Sequence, residues 1–321
     1  MPPSAPDPAA LGARLRDRDV TAAPAALNLL ENRAPGQRAA IAALLAEVAP
    51  VRLGGEAPGH VVGVTGPPGA GKSTLLSALA RTWRARGRTV AVLAVDPSSK
   101  RSGGALLGDR ARIDADPGDR GLFIRSMAAG GRLGGLAPAT RAAAHALAAA
   151  FDVVVVETVG VGQSETEVAE TADTVAVVVQ PGAGDVLQFL KAGIMEVPDV
   201  LVVTKADLGA IAGRAVRDLG TALRSLGDAA PVLAVSSVHP VAGIEALADA
   251  LEAHRAALDV PAARARSRRL GSLADFAAEH GESGLRALGG RRAAERFLAE
   301  QDPGLDAAAL AAALEARAAT S

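Results

Sequence analysis

The chain has 321 residues, 49% of them apolar, which exceeds one ordinary domain and points to a full α/β domain with smaller appendages. A formal net charge of −1 argues against nucleic acid or an anionic membrane held by bulk electrostatics, and 2% aromatics with no Tyr exclude a base-stacking platform. With no Cys and only five His, disulfides, thiolate metal sites and Cys nucleophiles are excluded.

The chain starts MPPSAPDPAA, without the basic stretch and apolar core of a secretion signal, and Asp17 and Asp19 interrupt the early arginines. No uncharged apolar run reaches membrane-spanning length, so the expectation is a cytoplasmic protein. Residues 1–20, Pro/Ala-rich and then charged, read as a frayed start or a solvated helix face. A helix is expected over Thr21–Glu31 with Thr21 as N-cap. In a second, Ile41, Leu44, Leu45 and Val48 follow the i, i+3, i+4, i+7 pattern of one face. The glycines and proline of Leu53 to Gly59 then mark a boundary.

His60 to Thr65 reads HVVGVT, an apolar β-rich run. Val-rich runs recur at Thr89–Val95, Asp152–Val156, Thr174–Val179, Val200–Val203 and Val232–Val235, separated by helical stretches. Continuous apolar strands alternating with helices imply a mostly parallel, doubly wound α/β sheet with right-handed crossovers. After His254 come Ala/Leu/Arg helices split by Gly281, Gly289-Gly290 and Pro303-Gly304, the last capped by Asp306 with Leu310 and Leu314 four apart. The expected division is a helical N-terminal extension over 1–58, a nucleotide-binding domain over 59–254, and a helical segment over 255–321 that packs or self-associates.

Between the first strand and its helix stands Gly66-Pro67-Pro68-Gly69-Ala70-Gly71-Lys72-Ser73, the phosphate-binding pattern G-x-x-x-x-G-K-[ST]. Strand, glycine loop and helix in that order aim backbone N–H groups and the positive helix end at one point, which suits a polyphosphate. Lys72 is expected to reach the β/γ-phosphates and Ser73 to ligate Mg²⁺, with Thr74 beside it at the helix start. A ligand-free glycine turn would need neither Lys nor Ser at those positions.

Thr204-Lys205-Ala206-Asp207 follows a strand directly and resembles the N/T-K-x-D element of GTPases. A carboxylate there accepts from guanine N1–H and the 2-amino group, whereas adenine would leave it unpaired, so GTP is preferred over ATP. The competing reading is a helix N-cap. Ser236-Ser237-Val238 resembles the weaker loop on the guanine's other side.

Asp96 ends the second strand and Glu157 the third, where a carboxylate serves Mg²⁺ directly or through water. Gly160 completes an E-x-x-G spacing and leaves its N–H free to approach a γ-phosphate. Asp96 also fits a cap before Pro97, and Glu157 an exposed strand end. Val161 cannot orient a water, so slow intrinsic hydrolysis is expected. Arg101, Arg110, Arg112 and Arg125 could offset transition-state charge or be structural, and His239 beside Pro240 reads as a turn residue.

With these residues placed, the chain resembles the methylmalonyl-CoA mutase-associated GTPases, the MeaB/ArgK family, over Thr21 to Leu247. The resemblance rests on VTGPPGAGKSTLL, DPSS with GGALLGDRARI, FIRSMAAGGRLGGLAPATR, VVVVETVGVGQSE, PGAGDVLQFLKAGIMEVPD and TKAD. It implies a homodimeric, Mg²⁺-dependent GTPase that binds an adenosylcobalamin-dependent acyl-CoA mutase, gates cofactor loading and protects or reactivates the mutase. It also implies that Asp96, Asp109 and Glu157 match the family's metal and hydrolysis centre, and that Pro181 to Lys191 match a switch sensing the mutase. Thr204 stands where Asn is commoner and Ser102 where Thr is, and the C-terminal tail matches poorly. Two other readings remain: a P-loop kinase or ATPase linked to amino-acid transport, which needs a hydroxyl-binding pocket, and a nickel or cobalt metallochaperone, which needs Cys or His clusters.

Overall fold

The structure, a computed structural model, describes the chain apart from residues 1–6, 33, 35, 97–112, 115, 117, 129–135, 159–162, 183–197, 226, 228 and 321. The chain forms two compact units: His60–Ala137 with Asp152–Leu258, and Met1–Gly59 with Pro138–Phe151 and Asp259–Ser321.

The first of these is built on a sheet whose strands are β1 His60–Thr65, β2 Val90–Asp96, β3 Leu122–Ala128, β4 Val153–Glu157, β5 Thr174–Val179, β6 Val200–Val203 and β7 Val232–Ala234. Among the described residues their order is β3-β2-β4-β1-β5-β6-β7, and every pairing is parallel. β1, β4, β5 and β6 are buried along their whole length, as their continuous Val/Leu runs require of strands covered on both faces. β3 was not expected from the sequence. It lies at the sheet edge, half-exposed, and its Arg125 and Ser126 interrupt the apolar run that announces the inner strands.

Three helices of this unit matter for the site: Lys72–Ala85, Gln163–Thr171 and Ile244–Ala257. Leu75, Leu76, Leu79 and Trp83 of the first and Leu247 and Leu251 of the third join Val62, Val64, Val155 and Val202 in one core. Val168 of Gln163–Thr171 sits against Gly63 of β1. The crossover after β1 leads to β2 on one side of it, and that after β4 leads to β5 on the other, so the carboxyl ends of β1 and β4 flank the switch point where ligands bind in open α/β sheets.

The second unit is helical, with α1 Pro8–Arg16, α2 Ala23–Leu30, α3 Arg38–Glu47, the short α4 Pro50–Leu53, then, in chain order past Lys72–Ala85 (α5), α6 Pro138–Ala150. The series continues through Gln163–Thr171 (α7), Ala210–Ser225 (α8) and Ile244–Ala257 (α9) to α10 Val260–Ala287, α11 Arg291–Ala299 and α12 Ala307–Ala319. Over Pro8–Arg16, α1 corrects the expectation of a frayed or solvated stretch, because Leu11 and Leu15 are buried. It approaches α3 so closely that a Cβ on Gly12 would stand 2.4 Å from Leu44 O. Thr21 is not an N-cap: it lies inside a 3₁₀ turn over Val20–Ala22, and Asp19 caps that turn by accepting from Thr21 N. Asp306 does cap α12, accepting from the N–H groups of Ala308 and Ala309, and Leu310 and Leu314 are buried. Gly281 adopts φ 60° within α10 and bends it. Leu273, Phe276, Leu285, Leu298, Leu310 and Leu314 share a core.

Among the described residues no helix is long and apolar enough to cross a membrane.

Candidate nucleotide-binding site

β1 delivers the chain into the loop over Gly66 to Gly71, and α5 begins at Lys72. Gly66, Gly69 and Gly71 have φ of 145°, 79° and 89°, values that side-chain-bearing residues rarely adopt. At Gly66 there is no room either, since a Cβ would lie 2.1 Å from Val178 O of β5. Pro67 O accepts from Ala70 N at 3.2 Å and Gly71 O from Leu75 N at 2.9 Å, so the loop closes on itself before the helix starts. Lys72 is buried, and its Nζ donates to Gly66 O at 2.7 Å and Pro67 O at 3.1 Å. Pro68 lies in the loop, and Ser73 and Thr74 follow Lys72 in the first helical turn.

Glu157, 5% exposed, closes β4 directly beside β1, in register with Val64. Its Oε1 accepts from the Ser73 hydroxyl at 3.3 Å, and Thr158 Oγ1 donates to Thr65 Oγ1 at 3.0 Å just below. Two side chains 84 positions apart thus meet where the loop turns into its helix. β2 extends past β4, Ala94 pairing with Glu157, and Asp96 ends β2 beyond that point. The Asp96 side chain, Asp109 and Gly160 lie outside the described residues, as do Arg101, Arg110, Arg112 and nearly all of 181–191. Arg125 is on edge strand β3.

β6 ends at Val203, and the next residues turn sharply because Lys205 takes the left-handed conformation, φ 54°. That turn places Ala206–Leu208 in one 3₁₀ turn, with Asp207 on the surface. Asp207 Oδ1 accepts from Ser236 Oγ at 3.3 Å, a hydroxyl that also reaches Val238 O at 3.0 Å. Ser236 is buried, Ser237 follows it, and Val238 is exposed at 52%. The structure therefore brings Thr204–Asp207 and Ser236–Val238 together, as the sequence order suggested.

Two features escaped sequence reasoning. Thr204 Oγ1 donates to Ala70 O at 2.6 Å and also lies 3.2 Å from Val179 O, tying the second loop to the phosphate loop. Lys205 Nζ donates to Oε1 of Gln180, the residue following β5. Only the sheet order could have announced either, because β5 lies between β1 and β6.

A parallel sheet with a glycine loop leading from its central strand into a helix, a basic side chain inside that loop and a carboxylate at the next strand tip defines a P-loop nucleotide-binding protein. Comparison with known families is more specific: residues 23–281 match the family described as methylmalonyl Co-A mutase-associated GTPase MeaB, and the chain belongs to that GTPase family. A Pyrococcus horikoshii protein provisionally named a GTPase is 57% identical over 149 residues, 46% of this chain and 47% of its own. The matched stretch thus spans about half the length of that relative. A Caulobacter vibrioides protein, also provisionally named a GTPase, is 42% identical over 262 residues, 79% of each chain. Among solved structures, one titled as a LAO/AO transport system kinase superposes with a TM-score of 0.65 at 29% identity, covering 91% of this chain and 96% of that one.

Proposed function

We propose that the protein hydrolyses GTP to GDP and phosphate with Mg²⁺, and uses the cycle to chaperone an adenosylcobalamin-dependent acyl-CoA mutase, with methylmalonyl-CoA mutase the first candidate. The observation that carries the nucleotide reading is the convergence of Lys72, Ser73 and Glu157 on one loop. It comprises a buried ammonium, the N-terminus of α5, and a hydroxyl 3.3 Å from a carboxylate. Backbone N–H groups of Gly69 to Ser73 and the Lys72 ammonium bind the β- and γ-phosphates. The Ser73–Glu157 pair fits Mg²⁺ chemically, since both donors are hard oxygens at one point. When bound, Mg²⁺ supplies charge neutralisation for the phosphates. Asp96 and Asp109 are proposed as further acidic members of that centre, and Gly160 as the N–H that senses the γ-phosphate.

Asp207 selects guanine by accepting from N1–H and the 2-amino group, with Lys205 and Thr204 behind it and Ser236, Ser237 and Val238 across from it. Val161 orients no water, so turnover by the isolated protein is slow and the partner accelerates it. Family membership supports the mutase as that partner, and gating of its cofactor loading by nucleotide state is part of the proposal. A homodimer in the cytoplasm completes the proposal.

Phosphate release measured with purified protein tests it. Slow GTP turnover in Mg²⁺ is expected, with ATP turned over at least tenfold less; equal turnover of both removes the role of Asp207. Lys72→Ala is expected to abolish hydrolysis, and a wild-type rate would refute the loop assignment. Adding the cognate mutase is expected to raise the GTP rate, and no change with a partner shown to bind would end the coupling.

A further inference from the structure

Gln180 is the residue at which the two halves of the site meet. It follows β5, which pairs with β1 on one side and β6 on the other, so it emerges between the phosphate loop and the loop that carries Asp207. It is half-buried, and its side-chain carbonyl accepts from Lys205 Nζ. Lys205 is exposed and held in a left-handed backbone conformation two residues before Asp207. Among the described residues no carboxylate pairs with it.

The chemistry of this pair is informative. An acceptor oxygen at position 180, whether of an amide or of a carboxylate, orients the Lys205 ammonium. An exposed lysine samples many rotamers, and one acceptor fixed at a strand tip removes most of that freedom before a ligand arrives. We infer that Gln180 is a positioning residue: its amide holds the Lys205 ammonium at the nucleotide pocket and so slows loss of a bound guanine nucleotide. The inference rests on the GTPase reading above.

Stopped-flow dissociation of a fluorescent N-methylanthraniloyl GDP from the full chain in Mg²⁺ tests it. Gln180→Leu, which keeps the bulk and removes the acceptor, is expected to speed dissociation about fivefold, the size of one net hydrogen bond. Gln180→Glu, which retains an acceptor oxygen, is expected to return the rate to within about twofold of wild type. In a Lys205→Met background, Gln180→Leu is expected to have no further effect, since its partner is already gone. A wild-type rate for Gln180→Leu, failure of Gln180→Glu to restore the rate, or a fivefold effect that persists in the Lys205→Met background overturns the inference alone. Absence of nucleotide binding by the wild type overturns the GTPase reading and this inference together. Gln180→Met serves the same cycle if Gln180→Leu fails to fold.

Discussion

Thr204 shows what a single residue decides in this site. Its position after β6 is legible in the chain, and it stands where Asn, with one more side-chain amide, is the commoner residue. The structure shows what the hydroxyl does instead: it donates to Ala70 O, 134 positions away, and so joins the base loop to the phosphate loop with its one proton. Thr204→Val, isosteric but without the hydroxyl, leaves buried Ala70 O short of a donor at a cost of about 1–3 kcal/mol. A drop in melting temperature together with weaker GDP binding by calorimetry is the expected result. Unchanged binding would show that the link is only structural. The phosphate loop itself was legible, because the glycines at positive φ and the Lys72 side chain act within a few residues of one another. The Ser73–Glu157 meeting was legible only as two separate strand-tip and helix-start expectations.

At the scale of elements, periodicity and capping chemistry carried most of the reading. The Val runs marked the inner strands because burial on both faces leaves no alternation to blur the pattern. Edge strand β3 escaped for the opposite reason, its half-exposed face tolerating Arg125 and Ser126. Caps divided similarly. Asp306 opens α12 as expected, but at Thr21 the neighbouring Asp19 wins, since its carboxylate accepts from the Thr21 N–H and hydroxyl and makes Thr21 the capped residue. Asp306→Ala removes acceptors for two N–H groups and is expected to destabilise the helical unit by about 1 kcal/mol, with Asp306→Asn close to wild type. Denaturant unfolding followed by far-UV circular dichroism distinguishes the two variants. Equal midpoints for Asp306→Ala and wild type would deny the cap any energetic role.

At the scale of the whole molecule, compact units are assembled from segments that the chain separates. α6 belongs with both terminal segments although it lies between β3 and β4 in sequence, and nothing in its alanine-rich stretch declares that allegiance. Stability against acid also has a specific anchor here. Arg84 Nε and Nη2 donate to the two oxygens of Asp119 at 2.8 and 2.7 Å, and Asp119 Oδ1 also accepts from Gly121 N. Chiefly through Arg84, these bonds hold the Asp119 carboxyl below the usual carboxylate range, while Arg84 is raised and stays charged throughout. The folded state therefore gains from Asp119 at any pH above its unfolded value, and that gain disappears as pH falls through the lowered folded value, below about pH 4. Melting temperatures of wild type and Asp119→Asn are expected to differ at pH 7 and to converge toward pH 3. A gap that stays constant over that range would exclude the pair as a source of acid sensitivity.

The amino-acid sequence by itself determined the parallel α/β class, the phosphate loop and the family, since the backbone conformation of a glycine loop and the period of an apolar run are set by neighbours along the chain. Tertiary structure alone decided that Glu157 reaches Ser73, that Thr204 holds Ala70, that Gln180 holds Lys205 and that α6 joins the termini. Those partnerships depend on which strands lie side by side and in what register, and that is settled by how the apolar faces of distant segments pack.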